Sequence, residues 1–222
     1  MESVLFIGNS YTYYNDLPSL FAALAEENGH AVRVDSVTKG ARKLSEYRKE
    51  DDPYTEALHA LLSERNYAVA ILQEQSLLPL TGEGTFRLGV EHLLTLLDGK
   101  ADRILLYQTW ARRKDHPTLA RQDWTVEEMA RGLRDAYRRT AEAVGAEVSP
   151  VGDAFFALLS AEPECALYAE DGTHPSYLGS ALAAVVHYRS VFGALPFSLA
   201  SLGLPEDALS SILSAVGEVF KK

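Results

Sequence analysis

Residues 4–10 of the chain read VLFIGNS, an apolar run that ends abruptly in glycine, asparagine and serine. The apolar part, Val4–Ile7, predicts a buried β-strand. Gly8 permits a sharp turn directly after that strand, because glycine has no side chain to restrict the backbone. Ser10 would then lie just past the carboxyl end of the first strand. The stretch therefore predicts a strand-to-helix turn that carries a hydroxyl group at the edge of a sheet.

Four further runs with strand character follow, separated by segments of helical periodicity. YAVAIL at 67–72 is apolar throughout, which is typical of a central parallel strand covered on both faces. The others are an alternating run at Ala31–Val37, RILLY at Arg103–Tyr107 and a short stretch near Val148. Strand–helix alternation favours right-handed crossovers. The sequence thus predicts one α/β domain over residues 1–222, with three α/β/α layers and a five-stranded parallel sheet.

Amphipathic segments between and after these runs predict the helices. Each has an apolar stripe at helical spacing, and the stripes begin at Leu17, Phe86, Val126, Leu178 and Leu209. Two of these predicted helices also have capping signals at their N-terminal ends. Asp16 precedes Pro18 as a candidate N-cap, and Thr125 stands three residues before Glu128 in a capping-box pattern.

Composition limits the classes of function that the chain can perform. The formal net charge of −10 disfavours a nucleic-acid or anionic-membrane partner. Cys165 is the one cysteine, which excludes an intrachain disulfide and a cysteine-cluster metal site. No apolar run approaches the roughly 20 residues of a membrane span. The opening MESVLFIG lacks the features of a signal peptide, so we expect a cytoplasmic protein unless a leader has been removed.

A second polar element, DGTHP at 171–175, precedes the fourth predicted helix. Asp171 and His174 are three residues apart, so the carboxylate can reach Nδ1 of the imidazole. Nε2 would then remain able to accept a proton from a serine. Each element also has a simpler interpretation. Ser10 can belong to an ordinary strand-to-helix turn, and His174 can cap the helix that follows an Asp-Gly turn.

Together, VLFIGNSYTYYNDLP at 4–18 and DGTHPSYLGSALAA at 171–184 resemble the first and last blocks of the SGNH (GDSL-like) hydrolase superfamily. The nucleophile comes first and the Asp–His pair last, unlike the α/β-hydrolases, whose G-x-S-x-G motif we do not find. The resemblance extends from Val4 to about Phe192. It implies a flavodoxin-like fold and a serine hydrolase with Ser10, His174 and Asp171 as its triad. It also implies that no cofactor or metal is needed.

The resemblance further implies an oxyanion hole, although two blocks depart from the usual pattern. Gly40 in SVTKGARKL matches the glycine of the second block, and its backbone N–H would act together with that of Ser10. Gln75 in QEQS takes the place of the usual asparagine, and Gln73 competes for the same role. Asn9 replaces the aspartate of Gly-Asp-Ser. These differences indicate a divergent GNS/QEQS branch of the superfamily.

Four side chains near the predicted site are candidates for substrate binding: Asn9, Gln73, Gln108 and Trp110. Gln108 and Trp110 follow the fourth strand, where the tryptophan could offer a flat face to a sugar ring. Trp110 could equally cover a seam between a helix and the sheet. The charged stretch Arg112–His116 is interpreted as a solvated loop, with a mobile flap as the alternative.

These residues, together with the resemblance, predict a serine esterase that acts on a small-molecule ester. The resemblance and the lack of an obvious apolar lid imply that the acyl group is short, with acetyl favoured. An acylated carbohydrate is one candidate substrate. An acyltransferase with the same triad and a non-catalytic small-molecule-binding α/β module remain as alternatives. No nucleic-acid or membrane partner is expected, and the sequence does not indicate an oligomeric state.

Overall fold

The computed structural model describes residues 1–221, and a single parallel sheet lies at its centre. The strand order is β2-β1-β3-β4-β5, and all neighbouring pairs are parallel. The strands are β1 Glu2–Gly8, β2 Val32–Thr38, β3 Tyr67–Leu72, β4 Ala101–Tyr107 and β5 Glu147–Ser149. All five predicted strands are confirmed. The continuous apolar run at 67–72 is the central strand, and the alternating run is an edge strand, as predicted.

Helices cover both faces of this sheet. They are α1 Ser10–Tyr13, α2 Leu17–Glu27, α3 Pro53–Glu64, α4 Leu78–Thr81, α5 Glu83–Leu97, α6 Pro117–Gln122, α7 Val126–Val144, α8 Val151–Ala161, α9 Tyr177–Phe192 and α10 Glu206–Val219. Short 3-10 turns lie at Tyr14–Asp16, Leu44–Arg48 and Ala200–Leu202. No helix within residues 1–221 is both long enough and apolar enough to cross a membrane.

The five predicted helices are confirmed as α2, α5, α7, α9 and α10. The capping box of α7 is also present. Thr125 N–H donates to Glu128 Oε2 at 2.9 Å, and Glu128 N–H donates to Thr125 Oγ1 at 3.1 Å. The proposed Asp16 cap is wrong, because that residue has a left-handed backbone (φ 52°) and its side chain makes no capping hydrogen bond.

The apolar residues of β1 show how the sheet separates two cores. Val4 and Phe6 face the core built with α2, α8, α9 and α10. Leu5 and Ile7 face the opposite core, built with α3, α5 and α7. All of these side chains are fully buried, because successive residues of a strand point to opposite faces. Since the strands are parallel, their carboxyl ends meet at one edge of the sheet. The segments that follow β1, β3 and β4 therefore converge there.

Candidate active site

Ser10, His174 and Asp171 are in hydrogen-bond contact at this edge of the sheet. Ser10 begins α1, directly after the turn that follows β1, while the other two lie in the loop before α9. Ser10 Oγ lies 2.8 Å from His174 Nε2. On the opposite side of the ring, Nδ1–H donates to Asp171 Oδ2 at 2.5 Å. The three sequence-predicted residues thus form the chain of contacts that a serine, a base and an orienting carboxylate require.

The charge state of Asp171 suits this arrangement. Partial burial acts to raise its pKa, but hydrogen bonds from the His174 ring and from two backbone N–H groups outweigh this and lower the pKa to about 2. Those N–H groups belong to Thr173 and His174, and each donates to Oδ1 at 2.9 Å. The carboxylate is therefore ionised at neutral pH, and it can stabilise a positively charged imidazole.

Two tyrosines of the segment after Ser10 pack against the imidazole. The Tyr14 ring stacks on His174 with centroids 4.2 Å apart and an interplanar angle of 10°. Tyr11 meets the same ring edge-on at 5.6 Å. Sequence reasoning did not assign a role to either residue, although the aromatic run Tyr11–Tyr14 was visible beside the serine. Together they restrict the orientation of the histidine.

Asn9 supports the turn and does not line a substrate pocket. Its side-chain Oδ1 accepts the N–H of Tyr11 at 3.3 Å, which caps α1. Its Nδ2 donates to the carbonyl of Arg42 at 3.0 Å. Only 3% of the residue is exposed. The predicted substrate-binding role of Asn9 is therefore corrected, because both polar ends of its side chain are used inside the protein.

Gln73 is also structural. Its Oε1 accepts the backbone N–H of Asn9 at 2.8 Å and the hydroxyl of Thr12 at 3.0 Å, and its Nε2 donates to the carbonyl of Glu74. The side chain is fully buried. A Cβ at Gly8 would lie 2.8 Å from Gln73 Oε1, so this close approach requires glycine. The structure thus corrects the assignment of Gln73 to substrate binding, and complete burial of the side chain also argues against a role as oxyanion donor.

The other candidate oxyanion donors are placed differently. Gln75 is half-buried, and its Oε1 accepts the N–H groups of Leu77 and Leu78 at 3.0 Å each. No residue within 1–221 accepts a hydrogen bond from its Nε2. Gly40 is exposed, and a Cβ there would lie 3.1 Å from the hydroxyl of Tyr13, which belongs to the helix that begins at Ser10. Within residues 1–221 the N–H of Gly40 also makes no hydrogen bond to another backbone group, so both residues keep a donor available, whereas Gln73 is fully buried.

Trp110 lies inside the protein and cannot offer a face to a sugar. Its ring is stacked between Tyr11, at 4.5 Å, and Phe155, at 4.1 Å. Its Nε1 donates to the carbonyl of Thr173 at 3.1 Å, and 1% of the residue is exposed. These contacts give the tryptophan a structural role, between α1 and α8. Its contacts join the start of α1 to the loop that carries His174.

Gln108 and Arg112 also differ from expectation. Gln108 is buried and donates through Nε2 to Asp153 Oδ1 at 2.9 Å, so its side chain is not available to a substrate. Arg112, expected in a solvated loop, is only 6% exposed. It directly follows Trp110 and Ala111, which are also buried, so the chain is still below the surface at this position. The loop interpretation holds only from Arg113 to His116, whose residues are half-buried or exposed.

A buried carboxyl group links two segments of the site. Glu74 Oε1 accepts the N–H of Leu44 at 3.2 Å and that of Gln75 at 2.6 Å. Its side chain is fully buried, and burial raises its pKa to about 8 despite these hydrogen bonds. No group of three or more His, Cys, Asp or Glu side chains in the described part of the chain is arranged to hold a metal ion.

Comparison with known proteins gives matches among solved structures, whereas no protein-family model and no curated protein matches the chain. A candidate SGNH hydrolase from Slackia heliotrinireducens is 28% identical, with a TM-score of 0.72, over 85% of this chain and 97% of its own. A DUF4886 family protein from Bacteroides uniformis has a TM-score of 0.83 at 16% identity, over 99% of this chain and 94% of its own.

An acetyl xylan esterase has the same fold, with a TM-score of 0.61 at 16% identity, over 85% of this chain and 99% of its own. The 28% identical structure matches over nearly its whole length, and it agrees in fold with these more distant ones. On that basis, the chain belongs to the SGNH (GDSL-like) hydrolase superfamily.

Proposed function

We propose that the protein is a serine esterase that hydrolyses short-chain acyl esters, acetyl esters first among them. The observation that carries this proposal is the continuous contact from Ser10 Oγ to His174 Nε2, at 2.8 Å, and from His174 Nδ1 to Asp171, at 2.5 Å. This geometry allows a hydroxyl group to lose its proton to a base as it attacks a carbonyl carbon.

The reaction would proceed in two halves. Ser10 Oγ attacks the ester carbonyl while its proton passes to His174 Nε2, and the proton then moves to the departing alcohol as the acyl–serine bond remains. A water molecule next gives its proton to the same nitrogen and attacks the acyl-enzyme, which releases the acid and restores Ser10. Asp171, ionised because its pKa is lowered to about 2, stabilises the imidazolium in both halves.

The developing oxyanion needs hydrogen-bond donors that are in position before the reaction. We assign this role to the backbone N–H groups of Ser10 and Gly40 and to Gln75 Nε2. Neither backbone N–H makes a hydrogen bond with residues 1–221. Gln75 is held through its Oε1, which accepts two backbone N–H groups and leaves the amide nitrogen to donate.

The acetyl preference and the carbohydrate substrate are proposed from one of the comparisons with solved structures. The likeness to an acetyl xylan esterase, at 16% identity, suggests acetylated sugars as substrates to test, together with simple aryl acetates. An acyltransferase would use the same residues but would pass the acyl group to an alcohol. Adding an alcohol acceptor and measuring the ratio of acid to new ester separates hydrolysis from transfer.

A fluorophosphonate probe and 4-nitrophenyl acetate together test the proposal. We expect the wild-type protein to be labelled and active, and Ser10→Ala to lose both properties while its far-UV circular dichroism is unchanged. Ser63→Ala, at an exposed helical serine, is the matched control and should behave as wild type. Labelling that persists in Ser10→Ala would contradict the assignment. A wild-type protein that neither reacts nor hydrolyses would favour the non-catalytic binding module.

A further inference from the structure

Two arginines are deeply buried, and they differ in how their charge is balanced. Arg42 is 3% exposed and forms two hydrogen bonds with the carboxylate of Asp52, at 2.6 and 3.1 Å. Arg112 is 6% exposed, and no carboxylate of residues 1–221 forms an ion pair with it. A guanidinium cannot lose its charge by deprotonation in a protein. Arg112 therefore keeps a positive charge below the surface without an acidic partner.

The hydrogen bonds of Arg112 also leave part of the guanidinium unused. Its Nη1 donates to the hydroxyl of Tyr11, and its Nη2 donates to Ser76 Oγ at 2.8 Å. Its Nε–H is buried and has no acceptor among residues 1–221. Buried donors are normally paired, and a charged donor without a partner is costly to retain. The Nε–H of Arg42 has no acceptor either, so the feature that distinguishes Arg112 is its unbalanced charge, which an anion bound against the guanidinium would balance.

The position of this charge connects it with the reaction site. Tyr11 follows Ser10 in the chain, and Ser76 follows Gln75. The hydroxyl of Tyr11 is also 2.6 Å from Oγ1 of Thr173, the residue before His174. Arg112 is thus joined by hydrogen bonds to the segments that carry the nucleophile, the side-chain oxyanion donor and the base.

A cavity of about 480 Å³ adjoins Arg112, a size that suits a small organic ligand. Apolar side chains form much of its wall: Val126, Ala130, Phe155, Phe156 and Leu159. Three successive cations, Arg112–Lys114, contribute to the lining. Two of them already have acidic partners, since Arg113 pairs with Asp115 at 2.6 Å and Lys114 contacts Glu164 at 3.5 Å. Arg112 is the one of the three that remains unpaired.

We propose that Arg112 binds a carboxylate group of the substrate, so that the preferred substrates are anionic esters with a small apolar body. This inference rests on the proposed esterase function and adds the charge of its substrate. A neutral ester would leave the guanidinium unpaired, and sites built to bind a polar group discriminate strongly against analogues that lack it. The carboxylate can belong to the acyl part or to the alcohol part of the ester.

Two matched pairs of esters test the proposal and separate these sources. For the acyl side, 4-nitrophenyl hydrogen succinate is compared with 4-nitrophenyl butyrate. For the alcohol side, 3-acetoxybenzoate is compared with its methyl ester. We expect wild-type kcat/KM to favour the anionic member of at least one pair by about tenfold or more. Arg112→Gln should reduce that ratio to about one or below, chiefly by raising KM for the anionic ester.

Arg131→Gln removes an exposed cation from the same region of the chain and should keep the wild-type ratio. Arg112→Lys retains the charge without the fork-shaped donor set, so it should keep part of the preference. A wild-type protein without preference in either pair overturns the inference, and this comparison needs no variant. A preference that Arg112→Gln leaves intact also overturns it. If none of the four esters is hydrolysed and Ser10 is not labelled, the esterase proposal itself has failed.

Discussion

Gln73 Oε1 accepts the backbone N–H of Asn9 at 2.8 Å, which ties the end of the central strand to the residue before Ser10. The two residues are 64 positions apart in the chain, and both are buried. The same oxygen accepts the hydroxyl of Thr12 at 3.0 Å. The position of Ser10 therefore depends on a side chain that the sequence had suggested for contact with the substrate.

Replacing Gln73 by leucine should destabilise the fold. The variant leaves the buried N–H of Asn9 without an acceptor, which typically costs about 1–3 kcal/mol. Differential scanning fluorimetry should show a melting temperature lower by roughly 2–10 °C. Gln73→Glu retains an acceptor at the same place and serves as the comparison for the lost hydrogen bond, although it adds a buried charge. An unchanged melting temperature for Gln73→Leu would show that this bond contributes nothing.

Replacing Gln75 by leucine should act mainly on the reaction. Loss of one oxyanion donor lowers kcat by about 10²–10³, with a much smaller effect on KM. Because Gln75 Oε1 also accepts the N–H groups of Leu77 and Leu78, some loss of stability is expected too. Gln75→Glu separates the two roles, since a carboxylate still accepts those hydrogen bonds but cannot donate one. Near-normal kcat in both variants would show that backbone N–H groups alone stabilise the oxyanion.

Asp171 and His174 should behave as a unit. The carboxylate acts through the imidazole that it contacts at 2.5 Å. Removing the ring therefore also removes most of the contribution of Asp171 to the reaction rate. The Asp171→Asn/His174→Ala double variant should therefore hydrolyse 4-nitrophenyl acetate nearly as fast as His174→Ala alone. Steady-state kcat/KM for the two single variants and the double variant measures this. Penalties that multiply would show that the residues act in separate steps.

Glu74 should make the stability of the protein fall as the pH rises. Its pKa in the fold is about 8, above the ordinary value of 4.5, because the charged form is poorly solvated. Between these two values the unfolded chain has lost the proton that the folded chain retains, so the free energy of unfolding decreases with increasing pH. Above about pH 8 this contribution levels off.

Thermal unfolding of wild type and Glu74→Gln, measured from pH 4.5 to 9, tests this effect through the difference between the two curves. The variant lacks the titrating group but keeps an acceptor for the N–H groups of Leu44 and Gln75. We expect the free energy of unfolding of Glu74→Gln, relative to that of wild type, to increase as the pH rises. Glu142→Gln, at an exposed position, is the control. Parallel curves for wild type and Glu74→Gln would show that the carboxyl group titrates normally in the fold.

The sequence by itself determined the strands, the parallel sheet and the five main helices, because apolar runs and helical stripes are local patterns. It also indicated Ser10, Asp171 and His174, since each lies at a turn next to a predicted strand or helix and carries a group suited to acyl transfer. The helices α3 and α8 and the short helices α4 and α6 were not predicted. The α3 segment has few buried positions (Thr55, Leu58 and Leu62), so its apolar stripe is weak.

Only the tertiary structure decided which polar side chains are still available to a ligand. Asn9, Gln73 and Gln108 have the residue types of a binding site, but their hydrogen-bond partners include groups 33 to 64 positions away in the chain. Trp110 is likewise enclosed by rings from distant segments. Arg112 shows the reverse, a buried charge in a stretch that reads as solvated loop. Burial and hydrogen-bond pairing depend on contacts between segments that are distant in the chain. A local sequence pattern does not indicate which segments make those contacts.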